Sequence, residues 1–107
     1  MNWKTGILVL AVSLVGGCYS PEPPSLWSDS APTVIPAIKT AAANKDHRAV
    51  PRLIALLGSH DSAVRFAANS ALTRITGADM GYCYYGSETD RKAAIARWYQ
   101  WQNQHPQ

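Results

Sequence analysis

Cys83 and the histidines are the first residues of this 107-residue chain to test for a nucleophile, a base or a metal site, with Asp46 and Asp61 as nearby carboxylates. Nucleophilic catalysis needs a base within hydrogen-bonding reach of a Ser or Cys, and no histidine lies near Cys83 in the sequence. His47 and His60 flank a predicted helix about 15 Å long, so they are too far apart to share a metal ion. We therefore expect no catalytic residues, no metal and no cofactor.

Cys18 has a different context, because a basic start and a short apolar run precede it. Lys4 is followed by the mostly apolar residues 6–15 and by a Gly-Gly-Cys sequence. This pattern is typical of a secretory signal, and about ten apolar residues are too few to span a bilayer. The sequence Val-Gly-Gly-Cys at residues 15–18 resembles the lipobox of bacterial lipoproteins. The resemblance implies a signal peptide over residues 1–17 and fatty acylation, including palmitate, at Cys18.

Two or more acyl chains anchor a protein stably to a membrane. The alternatives are a plain secretory signal with an incidental cysteine and a single-pass membrane anchor. In lipoproteins of Gram-negative bacteria, Asp after the lipidated cysteine favours retention in the inner membrane. Tyr19 stands there instead, so the resemblance implies a protein of the cell envelope, anchored in the outer membrane and facing the periplasm.

Charge and cysteine content limit the possible partners. After residue 17, nine Lys and Arg residues against seven Asp and Glu residues leave a net charge of +2. This charge is too small to indicate nucleic acid binding. If Cys18 carries lipid, Cys83 has no second cysteine for an internal disulfide, and it must be buried, reactive or paired between molecules. We expect it to be buried, because tyrosines flank it.

Residues 18–32 form a Pro/Ser-rich linker, and residues 33–105 form a helical domain. An extended linker of this length has a reach of roughly 40 Å. Leu26 and Trp27 interrupt its polar run, and they could dock on the domain edge or sit at the membrane interface; we expect docking. Periodic apolar residues predict an all-α domain of four helices, and no alternating β pattern competes with it. The predicted helices cover residues 33–44, 47–57, 61–76 and 87–105.

Capping residues set these bounds. Thr33 is the predicted first N-cap, with Pro36 in the first turn, where no backbone donor is lost. Asp46 or His47 caps the second helix and Asp61 the third, and Ser87 with Asp90 forms a capping-box variant. The predicted apolar faces are Ile35, Ile38 and Ala42; Val50, Leu53, Ile54 and Leu57; Val64, Ala67, Ala68, Ala71, Leu72 and Ile75; and Ala94, Ile95, Trp98, Trp101 and Gln102.

Residues 46–76 resemble a HEAT repeat of the short, phycobilisome-lyase-like type. The shared features are Pro51 in the first helix, Asp61 at the turn, the Val64–Arg65 pair, and the Ala-Ala and Ala-Leu pairs that follow. The resemblance implies a helix pair flanked by a half-repeat on each side, with the arginine bonded to turn carboxylates or carbonyls. From spacing alone, Arg65 should pair with Asp61, four residues earlier.

Aromatic residues offer the candidate partner-binding positions. The glycine-rich loop at residues 77–86 contains Tyr82, Tyr84 and Tyr85. Exposed aromatics on such a loop can bind a partner, although the same side chains could instead fill the gap between helices. Trp98 and Trp101 lie on the last helix, where they could cap the open end of the stack.

Three functions remain open from the sequence. We expect a membrane-tethered, non-enzymatic module that binds another envelope protein, because repeat stacks bind through extended helix faces without a cofactor. An accessory factor or enzyme of the lyase-like type is the second hypothesis. A purely structural envelope lipoprotein is the third.

Overall fold

The computed structural model describes residues 22–106, which contain four α-helices, one short 3₁₀ turn and no β-strand. The all-α prediction is therefore confirmed. The predicted signal peptide and Cys18 lie outside the described residues. Within those residues, none of the helices has the length and apolar character needed to cross a membrane. The elements are α1 (Ala31–Ala43), the 3₁₀ turn (His47–Ala49), α2 (Val50–Leu56), α3 (Ser62–Thr76) and α4 (Glu88–Gln104).

Helix α1 begins earlier than the sequence predicts. Ser30 is its N-cap residue, and the Ser30 carbonyl accepts hydrogen bonds from the backbone N–H groups of Thr33 (3.0 Å) and Val34 (2.9 Å). Pro32 occupies the first turn, where its missing N–H costs nothing. The prediction of Thr33 as N-cap is thus wrong, and Pro36 lies inside the helix.

The second predicted helix divides into a 3₁₀ turn and α2. In a continuous α-helix, residue 51 would donate its N–H to the carbonyl of His47. Pro51 has no N–H, and the Val50 N–H donates to that carbonyl instead, which gives the tighter 3₁₀ pattern. Asp46 is the cap, as predicted, because its carboxylate accepts from the Arg48 N–H at 3.1 Å.

Helices α3 and α4 have the predicted starts. The Asp61 carboxylate accepts from the N–H groups of Ala63 (2.8 Å) and Val64 (3.3 Å), and the Ser87 hydroxyl accepts from the Asp90 N–H (3.1 Å). Gly77 ends α3 with a φ of 72°, in the left-handed region that glycine enters at little cost.

Helices α2 and α3 pack against each other, α1 packs on α3, and α4 packs on α2. The four residues of the predicted apolar face of the second helix, which include the C-cap residue Leu57, are all buried. Most of the predicted apolar face of α3 is buried too. On α1 the buried residues are Val34, Ile38 and Ala41. Ile35 and Ala42 are only partly buried. The buried face of α1 is therefore rotated from the predicted one, which leaves apolar surface at the α1–α3 boundary.

The end of the linker docks on the domain. Leu26 is partly buried against the core, and its carbonyl accepts a 2.7 Å hydrogen bond from Arg52 Nε. The Arg52 guanidinium also lies 4.9 Å from the ring centre of Trp27, a cation–π contact. The Ser25 N–H donates to the carbonyl of Thr33 at 3.3 Å. The predicted docking is confirmed for Leu26, whereas Trp27 contacts Arg52 but remains 76% exposed. The docked segment begins near Ser25.

Candidate protein-interaction surface

Tyr82 is a packing residue. Its side chain is buried, and its hydroxyl donates a 2.6 Å hydrogen bond to the carbonyl of Leu57 at the end of α2. Burial raises the pKa of Tyr82, while the positive charges of Arg65 and Arg91 partly oppose that shift. Of the two alternatives that the sequence left open for the loop tyrosines, Tyr82 therefore takes the packing role.

Trp98 is also unavailable to a partner, because its side chain is 0% exposed within the core. Its indole N–H has no hydrogen-bond partner among residues 22–106. Trp101 packs against it edge to face, with ring centres 5.8 Å apart, and stacks on His105 at 4.2 Å. Trp98 therefore contributes a large apolar side chain to the core. Trp101 is half-buried.

Arg65 ties the aromatic loop to the α2–α3 turn. Its guanidinium donates to the carbonyls of Tyr84 (3.0 Å), Ser59 (2.9 Å) and His60 (3.0 Å). The predicted pairing with Asp61 is absent, because the Asp61 carboxylate accepts from the first N–H groups of α3. The bonding to carbonyls agrees with one of the two roles that the HEAT resemblance implies.

Three other residues of the predicted repeat, and Cys83, can be placed in the structure. Val64 is buried, Pro51 lies in the first turn of α2, and Asp61 caps α3. Cys83 is only partly buried, rather than fully buried as the sequence suggested, and it carries a free thiol. No group of three His, Cys, Asp or Glu side chains suited to a metal ion occurs in the part of the chain that the structure describes.

An aromatic ladder, consisting of Phe66, Tyr84 and Tyr85, stands on the surface. Phe66 and Tyr84 pack edge to face with ring centres 5.1 Å apart, and Tyr84 and Tyr85 do so at the same distance. Phe66 is 54% exposed and Tyr85 is 78% exposed. Sequence reasoning missed Phe66, although this lone phenylalanine falls outside the α3 stripe and could have been noticed for that reason.

The ladder continues into an apolar groove between α1 and α3. The groove encloses about 350 Å³. Ala63, Ala67 and Ala71 line it from α3, one every fourth residue, together with Ile35 and Ala42 of α1. Alanines at this spacing share one face of a helix. They leave room for a backbone to approach closely.

Phe66 belongs both to the groove and to the ladder, so the two form one surface, the docking face. Two cations, Lys39 of α1 and Arg74 of α3, also line the groove. Neither forms an ion pair with any residue between 22 and 106. The docking face therefore combines exposed aromatic rings, small apolar residues and positive charge that has no partner within the described domain.

No protein-family model matches the chain, and neither a curated protein nor a solved structure is significantly similar to it.

Proposed function

We propose that this protein is a lipid-tethered, non-enzymatic protein-interaction module of the bacterial envelope. The observation that carries the proposal is the docking face, where Phe66 and Tyr85 are more than half exposed beside an apolar groove. Contiguous exposed apolar surface is costly in water and marks interaction sites. Aromatic residues are enriched in the buried centres of protein interfaces.

The groove suits an amphipathic helix with acidic residues at its edges. Helices dock in apolar grooves through side chains spaced three and four residues apart. The small side chains of Ala63, Ala67 and Ala71 permit close approach of such a helix. Lys39 and Arg74 provide positive charge for Asp or Glu residues of the partner, and such complementarity favours the correct register.

We infer further that the domain is a short HEAT-like stack. The packing of α1 on α3 and of α4 on α2 around the α2–α3 hairpin supports this arrangement of a central pair with one extra helix on each side. Each amphipathic helix of such a stack hides its apolar face against a neighbour. A partner helix in the α1–α3 groove would add one more layer to it.

The tether is the second part of the proposal. With acyl chains on Cys18, only residues 19–24 separate the lipid from the docked segment, which limits the reach to about 20 Å at about 3.1 Å per residue. The domain would then lie close to the periplasmic face of the outer membrane. Radioactive palmitate should label the wild-type chain and not the Cys18→Ala variant. Equal labelling of both, or of neither, would contradict the tether.

Co-purification tests the docking face. From detergent-solubilised envelopes, the wild-type chain should bring down one envelope protein in a fixed ratio. Phe66→Gln should lose it, because the change removes the ring shared by groove and ladder. Tyr99→Gln is the matched control, since Tyr99 is an exposed aromatic (47%) on α4, outside the docking face. Equal retention or equal loss in the two variants would overturn the proposal.

A further inference from the structure

A polar cavity of about 300 Å³ lies between the α2–α3 turn and the first turns of α4, and it shares no residue with the docking face. Its lining includes three cationic side chains, those of Arg65, Arg91 and Lys92, and one carboxylate, Glu88. His60 lies beside them. With His60 left aside, the side chains that line the cavity therefore carry a net charge of +2.

Arg65 is the most buried of the three cations. Its side chain is buried, with the residue 8% exposed. Its hydrogen bonds run from Nε and Nη1 to backbone carbonyls. Within residues 22–106 no carboxylate pairs with it, and Nη2 makes no hydrogen bond. Nη2 is not among the buried unpartnered atoms of the described residues, and Arg65 lines the cavity. The carbonyls therefore orient the guanidinium without neutralising it, and Nη2 remains available to a ligand.

Arg91 repeats this arrangement at the start of α4. Its Nη1 donates to the carbonyl of Gly86 at 3.1 Å, and it forms no ion pair in the described domain. Arg65 and Arg91 line the same cavity, which brings the two positive charges to one site.

Glu88 does not neutralise the cavity. Its carboxylate pairs with Lys92 at 3.0 Å, and both side chains are largely in solvent. The hydrogen bond from Lys92, and then the charge of Lys92, hold the pKa of Glu88 below its usual value, with smaller effects from Arg91 and His60. Glu88 therefore stays ionised and balances one cation of three.

We propose that this cavity binds a phosphate monoester. A phosphate monoester carries close to two negative charges near neutral pH, which matches the excess of positive charge. Within the described part of the chain, Arg91 uses only Nη1 for a carbonyl, so its Nε and Nη2 remain for two parallel hydrogen bonds to phosphate oxygens. Arg65 would add hydrogen bonds from Nη2, because its Nε and Nη1 bind carbonyls. The apolar side chain of Ile95 also lines the cavity and would contact the organic part of the ligand. A soluble ester and a lipid headgroup share this chemistry.

Calorimetric titration of the full-length chain in a nonionic detergent tests the site, with inorganic phosphate, phenyl phosphate and acetate as probes. Both phosphates should bind saturably, phenyl phosphate more tightly, and acetate should bind far more weakly. Arg91→Gln should weaken phenyl phosphate binding by about tenfold or more, the effect of losing a charge-assisted hydrogen bond. Lys92→Gln should weaken it too, and we expect this exposed position to change folding stability little.

Arg97→Gln is the matched control. Arg97 also lies on α4 and also donates to a backbone carbonyl, that of Met80 at 2.9 Å, but it does not line the cavity. The variant should bind like the wild type. Absence of saturable phosphate binding, acetate binding as tight as phosphate binding, or equal weakening by Arg91→Gln and Arg97→Gln would each overturn the proposal.

Mixed micelles distinguish the two sources of phosphate. Phosphatidic acid in the micelle, compared with phosphatidylcholine, should abolish the heat of phenyl phosphate binding if a headgroup occupies the cavity. Undiminished heat assigns the cavity to a soluble ester. Either result supports a phosphate site, and the outcome is independent of whether the docking face binds a protein.

Discussion

The hydroxyl of Tyr82 donates a 2.6 Å hydrogen bond to the carbonyl of Leu57, which joins the aromatic loop to the end of α2. Arg65 makes the second connection, because it links the carbonyl of Tyr84 to those of Ser59 and His60. Through these contacts, the loop at residues 77–86 is held against the α2–α3 hairpin. The ring of Tyr84 is thereby fixed beside Phe66, which completes the docking face.

Removing the Tyr82 hydroxyl should destabilise the fold. Tyr82→Phe leaves the ring in place and deprives the Leu57 carbonyl of its donor, so we expect the free energy of unfolding to fall by about 1–3 kcal/mol. Urea titration followed by far-UV circular dichroism measures this. Tyr99→Phe, at an exposed ring, should change stability by less than about 0.5 kcal/mol; similar losses in both variants would contradict the role of the bond.

Alkaline pH should lower the free energy of unfolding through the same residue, Tyr82. Burial raises the pKa of Tyr82 in the folded chain above its unfolded value of about 10. The neutral hydroxyl therefore stabilises the native state fully below about pH 10, and this contribution is lost as pH rises through the folded-state pKa. Unfolding free energies measured across this alkaline range should decline more steeply in the wild type than in Tyr82→Phe. Parallel curves would show that Tyr82 does not titrate as described.

Arg65 should be needed as an arginine and not merely as a cation. Lysine keeps the charge but cannot reproduce the fork that reaches three carbonyls. We expect Arg65→Lys to lower the free energy of unfolding by about 2–4 kcal/mol, through lost charge-assisted hydrogen bonds at a buried site. The control is Arg74→Lys, an exposed position on the same helix. A loss no greater than that of the control would mean that the three carbonyl bonds add little.

Arg52 should hold the end of the linker in place. Its guanidinium bonds the Leu26 carbonyl and lies over the Trp27 ring, and glutamine can make neither contact from that position. The Ser25 N–H, which donates to the carbonyl of Thr33, reports on this docking. In Arg52→Gln it should exchange with deuterium faster by about tenfold or more, because one charge-assisted hydrogen bond that holds the segment is lost. Arg48→Gln, at a fully solvated side chain, should leave the rate unchanged. Unaltered exchange in both variants would mean that other contacts dock the linker.

Local signals explain why α3 and α4 begin where the sequence predicts. Asp61, Ser87 and Gly77 act on backbone groups only a few residues away, so their effects can be read from the sequence. Helix α1 differs because two positions competed for its cap. Ser30 followed by Pro32 starts the helix before Thr33 does. The buried face of α1 depends on its packing against α3, a contact between distant segments that periodicity alone does not define.

The docking face could be predicted only in part, because it depends on contacts between distant segments. The sequence indicated the tyrosines of the loop only as a group. The Leu57 carbonyl and Phe66, which belong to other elements, determine which tyrosine packs and which is exposed. The sequence did not show whether Trp98 was open to a partner, and in the structure it is the largest side chain that α4 buries in the core. The cationic cavity was missed because Arg65 and Arg91 are 26 positions apart in the sequence.

Binding of a protein partner to the docking face in the cell is tested most directly by site-specific photo-crosslinking. A photoreactive phenylalanine analogue is placed at Phe66 or, as a control, at Tyr99; both positions carry exposed aromatic rings. We predict that irradiation of intact cells gives one discrete adduct from position 66 and none from position 99, and that Tyr85→Ala weakens the adduct. No adduct from position 66, or the same adducts from both positions, would contradict the account.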